Sequence, residues 1–324
     1  MQPPARRVYT GPVPPSLDTL PELPSEAHPY FTLPARGLDL PALPGGGPRR
    51  VAYRELGAGR PVLLLHGLWT TGFTFRGLFA RLAAAGCRAI APELTPADGE
   101  PLLPADDASP ERLAELVADL IQALGLVTPT VVGHAELGLA GLRLALDRPQ
   151  SVGTLIALGA CTQLPAGARL RGFWLNRAGG AERWARRAFG DPTRAALDMP
   201  AYADPAVLSR QELRLLARGW ASLPAARARA RRLAQTLAPA YRRGVLAALQ
   251  ALAASGAGFP AALKLVHGER DPLAPPAQGL RLTQLLPGAE LFVAERAGGA
   301  PQVELPEWTA RIIAGAAGSA PPPP

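Results

Sequence analysis

Lysine is almost absent from this chain of 324 residues: Lys264 is the only one, and arginine supplies the rest of its 34 basic side chains. Cysteine is nearly as scarce. Cys87 and Cys161 stand far apart, without the density of a disulfide scaffold or the spacing of a metal site, and they read as small buried side chains. Histidine occurs four times, as His28, His66, His134 and His267. No apolar run approaches the ~20 residues of a membrane helix; the longest, around Val152 to Ala160, has the length of a strand. The N-terminus lacks the basic-then-apolar order of a secretion signal. These absences exclude a disulfide scaffold, a Cys/His metal domain and a helical membrane protein. They predict a cytoplasmic chain with no metal and no cofactor.

What is present is apolar bulk and arginine. Hydrophobic residues make up 48% of the chain, enough for one large core. The net charge of +8 is unevenly spread: residues 162 to 258 hold 16 arginines against 5 acidic residues, and the rest is slightly acidic. A local basic surface can attract nucleic acid, an anionic membrane or an acidic ligand. The plainer expectation is a set of solvated helix faces. The stretch from Ala225 to Arg232 alternates Ala and Arg without any recognised nucleic-acid motif.

Residues 1 to 28 are rich in Pro and lack periodic apolar positions, so an extended or disordered segment is expected there, with a similar tail at 319 to 324. Tyr30 to Leu40 and Arg50 to Leu56 read as strands joined across Gly45 to Gly47. Then strands and helices alternate: strand Pro61 to Leu65, helix Phe75 to Ala85, strand Cys87 to Leu94. A helix opened by Ser109 and Pro110 comes next, then strand Thr130 to Val132, helix Glu136 to Leu146 and strand Val152 to Ala160. After a helical stretch at 162 to 258, which contains Trp174, Trp184 and Trp220, alternation resumes. It runs through strand Leu263 to His267, helix Pro276 to Leu286, strand Glu290 to Ala294 and helix Pro306 to Ala316. Such alternation predicts an α/β fold with a mostly parallel sheet covered on both faces. The predicted organisation is a core at 29 to 161 and 259 to 318, with a helical cap at 162 to 258 inserted between its strands.

Three segments carry chemistry-bearing patterns, each at the end of a predicted strand: Leu63-Leu64-Leu65-His66-Gly67-Leu68-Trp69, Val131-Val132-Gly133-His134-Ala135-Glu136-Leu137-Gly138, and Leu265-Val266-His267-Gly268-Glu269-Arg270-Asp271-Pro272. In order and spacing they resemble the α/β-hydrolase superfamily, in its capped branch of esterases, lactonases, epoxide hydrolases and dehalogenases. The resemblance runs from about Tyr30 to Ala316. It implies an eight-stranded α/β-hydrolase fold with an inserted cap, and a site built from a nucleophile, an acid, a histidine and an oxyanion hole.

Carried over position by position, the resemblance implies a degenerate site. The nucleophile position is Ala135, which has no hydroxyl, thiol or carboxylate. The second glycine of the nucleophile turn falls at Leu137, which predicts a relaxed turn. The acid position is kept as Asp271. The position of the histidine, before Ala300-Pro301, is Gly299. His66, His134 and His267 match structural positions, and His28 could serve the site only if its extension folded back. The backbone amides of Leu68 and Glu136 match the oxyanion donors. The Glu136 carboxylate is expected as a helix-start charge, and its alternative role is a general base. The expected function is that of a non-catalytic member binding a small apolar or ester-like ligand or a protein partner; the alternative is a hydrolase working through Glu136 and Asp271. Binding of nucleic acid or an anionic membrane through the basic cap is the weaker alternative.

Overall fold

A computed structural model of the chain describes residues 7–8, 28–42, 49–94, 102–103, 107–192, 195, 202–217 and 222–319. In chain order the elements are β1 (Arg7–Val8), α1 (Pro29–Thr32), β2 (Ala35–Leu40), β3 (Arg49–Leu56), β4 (Arg60–Leu65), α2 (Phe79–Ala84), β5 (Cys87–Pro92), α3 (Pro110–Ala123), β6 (Thr130–His134), α4 (Glu136–Asp147) and β7 (Thr154–Leu158). Helices without a strand follow among the described residues: α5 (Ala166–Leu175), α6 (Gly180–Gly190), α7 (Arg210–Ala217), α8 (Leu223–Thr236) and α9 (Arg243–Ala254). The chain then returns to the sheet with β8 (Ala262–Gly268), α10 (Pro276–Leu285), β9 (Glu290–Ala294), α11 (Pro301–Glu304) and α12 (Pro306–Ser319).

The strands form one sheet in the order β1-β9-β8-β7-β6-β4-β5-β3-β2. Only β2 with β3 and β3 with β5 pair antiparallel; the remaining pairs are parallel. Beside the eight expected strands, Arg7–Val8 adds a short parallel edge to β9, with Arg7 opposite Phe292. The Pro-rich extension therefore contributes to the sheet, where an unstructured segment was expected. Its two residues reach the edge because β9 is the outermost long strand on that side and its backbone groups are free to pair.

The central strands are apolar on both faces: Val62, Leu63, Leu64, Leu65, Val131 and Val132 are fully buried, as strands covered by helices on both sides must be. Helix α4 packs on β6 and β7 with α3 beside it, and α12 packs on β4, β6 and β7 with α2 beside it. The predicted start of α3 is observed, with Pro110 in the first turn and Ser109 Oγ accepting from Arg112 N at 3.3 Å. Several boundaries differ from expectation: α2 begins at Phe79 rather than Phe75, β5 ends at Pro92, and β7 covers only Thr154–Leu158. The strand read from Tyr30 begins only at Ala35, because Pro29 opens a short helix and His28 Nδ1 accepts from Tyr30 N at 3.1 Å. The proposed glycine connection at 45 to 47 lies outside the described residues. No helix of the described residues is long and apolar enough to cross a membrane.

Candidate functional site

The C-terminal ends of β4, β6, β7 and β8 lie side by side, so the residues just after them are brought together by the sheet itself. Ala135 follows β6 with φ 52° and ψ −113°, and its N–H donates to Leu158 O at 2.8 Å. The sharp strand-to-helix turn is therefore present, and the relaxed turn expected from Leu137 is not observed. Leu137 is fully buried in the apolar core, so its bulk does not fall on the turn. The close approach is made instead at Gly133, where a Cβ would lie 2.3 Å from Leu137 O. A positive φ at a residue with a Cβ costs about 1–3 kcal/mol, and the fold retains that strain although Ala135 has no reactive atom to present.

Glu136 begins α4, and its side chain is buried. Its Oε1 accepts from Trp69 Nε1 at 2.9 Å, and its Oε2 accepts from the backbone N–H of Leu68 at 3.4 Å. Leu68 is the expected oxyanion donor. The structure thus places an acidic side chain against the N–H that would stabilise a developing oxyanion. Favourable charge at the start of a helix helps to hold it there.

Asp271 is buried on the loop after β8. Its Oδ1 accepts from Leu273 N at 2.8 Å and Ala274 N at 3.0 Å, so the carboxylate ties its own loop. Gly299 meets the same cavity through its backbone: its carbonyl accepts from His134 Nε2 at 2.8 Å. That bond fixes the proton of His134 on Nε2, and leaves Nδ1 as a buried acceptor with no hydrogen-bond partner among the described residues. Burial holds the His134 pKa below the ordinary imidazole value.

The other histidines are accounted for structurally. His66 Nδ1 donates to Gly67 O at 2.9 Å, and its Nε2 accepts from Leu94 N at 2.8 Å. His267 Nδ1 donates to Ala274 O at 2.7 Å. His28 does not enter the site; it starts α1, its ring lies 5.0 Å from that of Phe73, and its Nε2 is 3.8 Å from Glu212 Oε1.

A cavity of about 60 Å³ opens over Ala135 and is lined by Glu136, Asp271, Gly299, Leu139 and, from α8, Leu233 and Thr236. It also contains a residue that the sequence reading missed. Arg242 is 95% buried; its Nε donates to Cys161 O at 2.7 Å and its Nη1 to Thr236 O. The Arg242-Arg243 doublet carries no signal separating a buried guanidinium from a solvated one. No ion pair within 4.0 Å joins Arg242 to Asp271 or Glu136 among the described residues. Both Arg242 and Asp271 nevertheless act on the Cys161 thiol, whose pKa is raised chiefly by burial.

The expectation of solvated arginines on α8 is corrected as well. Arg229 and Arg232 are buried, and Arg227 is paired with Glu182 at 2.8 Å. Residues 229, 232, 233 and 236 fall on one helix face, so turning Leu233 toward the cavity turns the two arginines inward with it. Desolvation lowers both guanidinium pKa values, that of Arg229 to about 10. Of the tryptophans of this segment, Trp174 is exposed, Trp184 is partly buried, and Trp220 lies outside the described residues. Among the described residues no cluster of His, Cys, Asp and Glu is arranged to hold a metal.

The sequence profile of the alpha/beta hydrolase family matches residues 62–312. A haloalkane dehalogenase of Mycolicibacterium paratuberculosis is 33% identical over 113 residues, covering 34% of this chain and 37% of that protein. An uncharacterised protein of Mycobacterium tuberculosis is 34% identical over 111 residues, covering 34% of this chain and 32% of that protein. The chain thus spans about a third of the length of the curated relatives it matches. Among solved structures, the haloalkane dehalogenase DatA of Agrobacterium tumefaciens superposes with a TM-score of 0.69 at 22% identity, covering 88% of this chain and 96% of that one. A thermophilic esterase of Thermogutta terrifontis gives a TM-score of 0.66 at 20% identity, covering 86% and 97%. At these identities the structural likeness speaks for the fold alone.

Proposed function

The chain belongs to the α/β hydrolase family, and on that premise we propose that it is a non-catalytic member that binds a small molecule in the cavity over Ala135. The observation that carries this reading is the Glu136 carboxylate facing Leu68 N at 3.4 Å, beside a nucleophile position that holds Ala. An anion fixed in that place repels the negative charge that acyl transfer develops, and preorganised donors are usually the largest single contribution to such catalysis. With Ala135 there is no atom to form an acyl-enzyme, and with Gly299 there is no side chain to take a proton from a nucleophile or from water.

The cavity supports a ligand with an apolar body and a polar end. Leu139, Leu164, Leu237 and Leu273 supply the apolar walls, and Asp271 and Arg242 supply the polar groups. The helices between β7 and β8 act as its cap, with α8 forming the roof. In this reading a carbonyl or hydroxyl group is held near Arg242 and is not attacked.

The test pairs turnover with binding. Purified protein is assayed on a panel of activated esters beside Glu136→Gln and Asp271→Asn, and the same compounds are screened for a rise in Tm. The expected result is no turnover above buffer and a concentration-dependent Tm rise with some members of the panel, since a ligand bound to the native state alone stabilises it by mass action. Turnover that disappears in Glu136→Gln or Asp271→Asn would overturn the proposal in favour of a hydrolase using those carboxylates.

A further inference from the structure

The helical segment between β7 and β8 presents an outer face that the cavity does not use. On α5, Leu170 is 59% exposed, Phe173 55% and Trp174 56%. At about 100° per residue these three side chains form one stripe along the helix. The opposite side is small and buried: Ala168, Gly172 and Leu175 pack inward. Gly172 fixes that orientation, because a Cβ there would lie 2.4 Å from Leu237 O at the end of α8.

The apolar stripe is bordered by cations on both sides. Arg169 and Arg171 are exposed and lie about 100° to either side of Leu170. Arg177 follows the helix, with its guanidinium 5.3 Å from the Phe173 ring and 5.7 Å from the Trp174 ring. Helix α5 itself contains no acidic residue. A protein interface is likewise enriched in aromatic residues and arginine, but its rim is generally polar and carries no requirement for a single sign of charge. Here one sign of charge lines both flanks of an aromatic stripe. That is the arrangement of a helix lying in a membrane interface, with aromatic and aliphatic side chains down and long cationic side chains spread at phosphate level.

We propose that this face of α5 docks on an anionic lipid bilayer. Leu170, Phe173 and Trp174 enter the boundary between headgroups and acyl chains, and Arg169, Arg171 and Arg177 pair with lipid phosphates. Arg183 and Arg187, exposed on the neighbouring α6, add to that attraction over a longer range. The helix directly beneath, α8, lines the cavity, so docking would bring the roof of the cavity to within one helix layer of the lipid.

The experiment is flotation of the full chain with vesicles of phosphatidylcholine, alone or with about 30% phosphatidylglycerol. Phe173→Ala/Trp174→Ala and Arg169→Gln/Arg171→Gln/Arg177→Gln are run beside wild type, each first shown to melt cooperatively. These substitutions sit on an exposed face, so folding is expected to be kept. Wild type should float with the anionic vesicles, lose binding as salt rises, and bind pure phosphatidylcholine at least about tenfold less. Both variants should also lose about tenfold or more on the anionic vesicles. Absence of flotation with anionic vesicles at low salt overturns the proposal. So does binding that survives loss of the two aromatic residues. If wild type binds single-stranded DNA as well as vesicles, and only the arginine variant loses either, the face is a general polyanion surface and lipid docking is rejected.

Discussion

The Nε2 of His134 donates to the carbonyl of Gly299 at 2.8 Å, joining the residue before the nucleophile position to the loop where a catalytic histidine would stand. Both residues line the cavity over Ala135. Residues 134, 135 and 299 therefore belong to one built structure, and each can be probed for what it contributes.

The strain at Ala135 gives the first prediction. A residue with a Cβ at φ 52° is held by its neighbours, and glycine at such a position relieves the strain. Ala135→Gly should stabilise the fold by about 1 kcal/mol despite the greater freedom of glycine in the unfolded chain. Urea denaturation measures the change, and a destabilised variant would show that the turn is not strained.

Glu136 supports a different prediction. Its carboxylate satisfies the buried N–H groups of Trp69 and Leu68 at once. Removing it in Glu136→Ala leaves two donors without a partner and should cost about 2–4 kcal/mol, since each unsatisfied buried group costs about 1–3 kcal/mol and the two share one cavity. Glu136→Gln keeps an oxygen for Trp69 and should cost less than half of that. Equal stability of the two variants would mean that solvent replaces the carboxylate freely. The comparison is made by chemical denaturation at neutral pH.

This contact also shows where the sequence could be read and where it could not. The sheet was legible because each motif ends a strand, and the apolar runs such as Leu63 to Leu65 have the length and continuity of doubly covered strands. Ala135, Asp271 and Gly299 were legible as positions because the fold brings them to one end of the sheet. The partner of the Glu136 side chain was not, because Trp69 lies 67 residues away and nothing local links the two. The buried arginines escaped for a related reason. The Ala-Arg alternation of α8 fits a solvated helix, and only packing against the core decides that Arg229 and Arg232 turn inward. The edge strand Arg7–Val8 is two residues long and leaves no periodicity to detect.

Protonation of His134 gives a pH dependence with a definite sign. Burial depresses its folded pKa below the 6.5 of free imidazole, so the native state resists a proton that the unfolded chain accepts. The stabilising contribution is complete above pH 6.5 and is lost as pH falls from there toward the folded value. His267 acts in the same direction, its pKa also lowered by burial. Glu304 opposes them: burial raises its pKa from 4.5 to about 7, so it weakens the fold as pH rises through that window. The wild-type profile is the sum of these, and a variant is needed to isolate one. His134→Asn should be less stable than wild type near neutrality, and the gap should narrow as pH is lowered from about 7.5 to about 5.5. A gap independent of pH would mean that His134 is not held neutral in the fold.

Under the proposed non-catalytic reading, placing a hydroxyl at residue 135 and an imidazole at residue 299 tests the missing side chains apart from the effect of Glu136 on the Leu68 amide. The strand-to-helix turn already holds Ala135 in the strained conformation, so Ala135→Ser places a hydroxyl there without rearranging the backbone. Gly299 is not among the glycines with positive φ, so a side chain there meets no left-handed backbone strain, and Asp271 remains in the cavity beside it. If absence of the triad were the whole defect, Ala135→Ser with Gly299→His would restore ester hydrolysis. The position of Glu136 argues that it will not, because its carboxylate still faces Leu68 N and opposes the charge of the tetrahedral intermediate. Adding Glu136→Ala, which frees the donor, should raise kcat/KM over the double variant by about 10²-fold, the usual worth of one oxyanion donor. The stability lost by Glu136→Ala sets the temperature of the assay, so both variants are compared well below their melting transitions. A double variant as active as the triple would show that the carboxylate swings clear of Leu68 when substrate enters, and would remove Glu136 as an obstacle to hydrolysis.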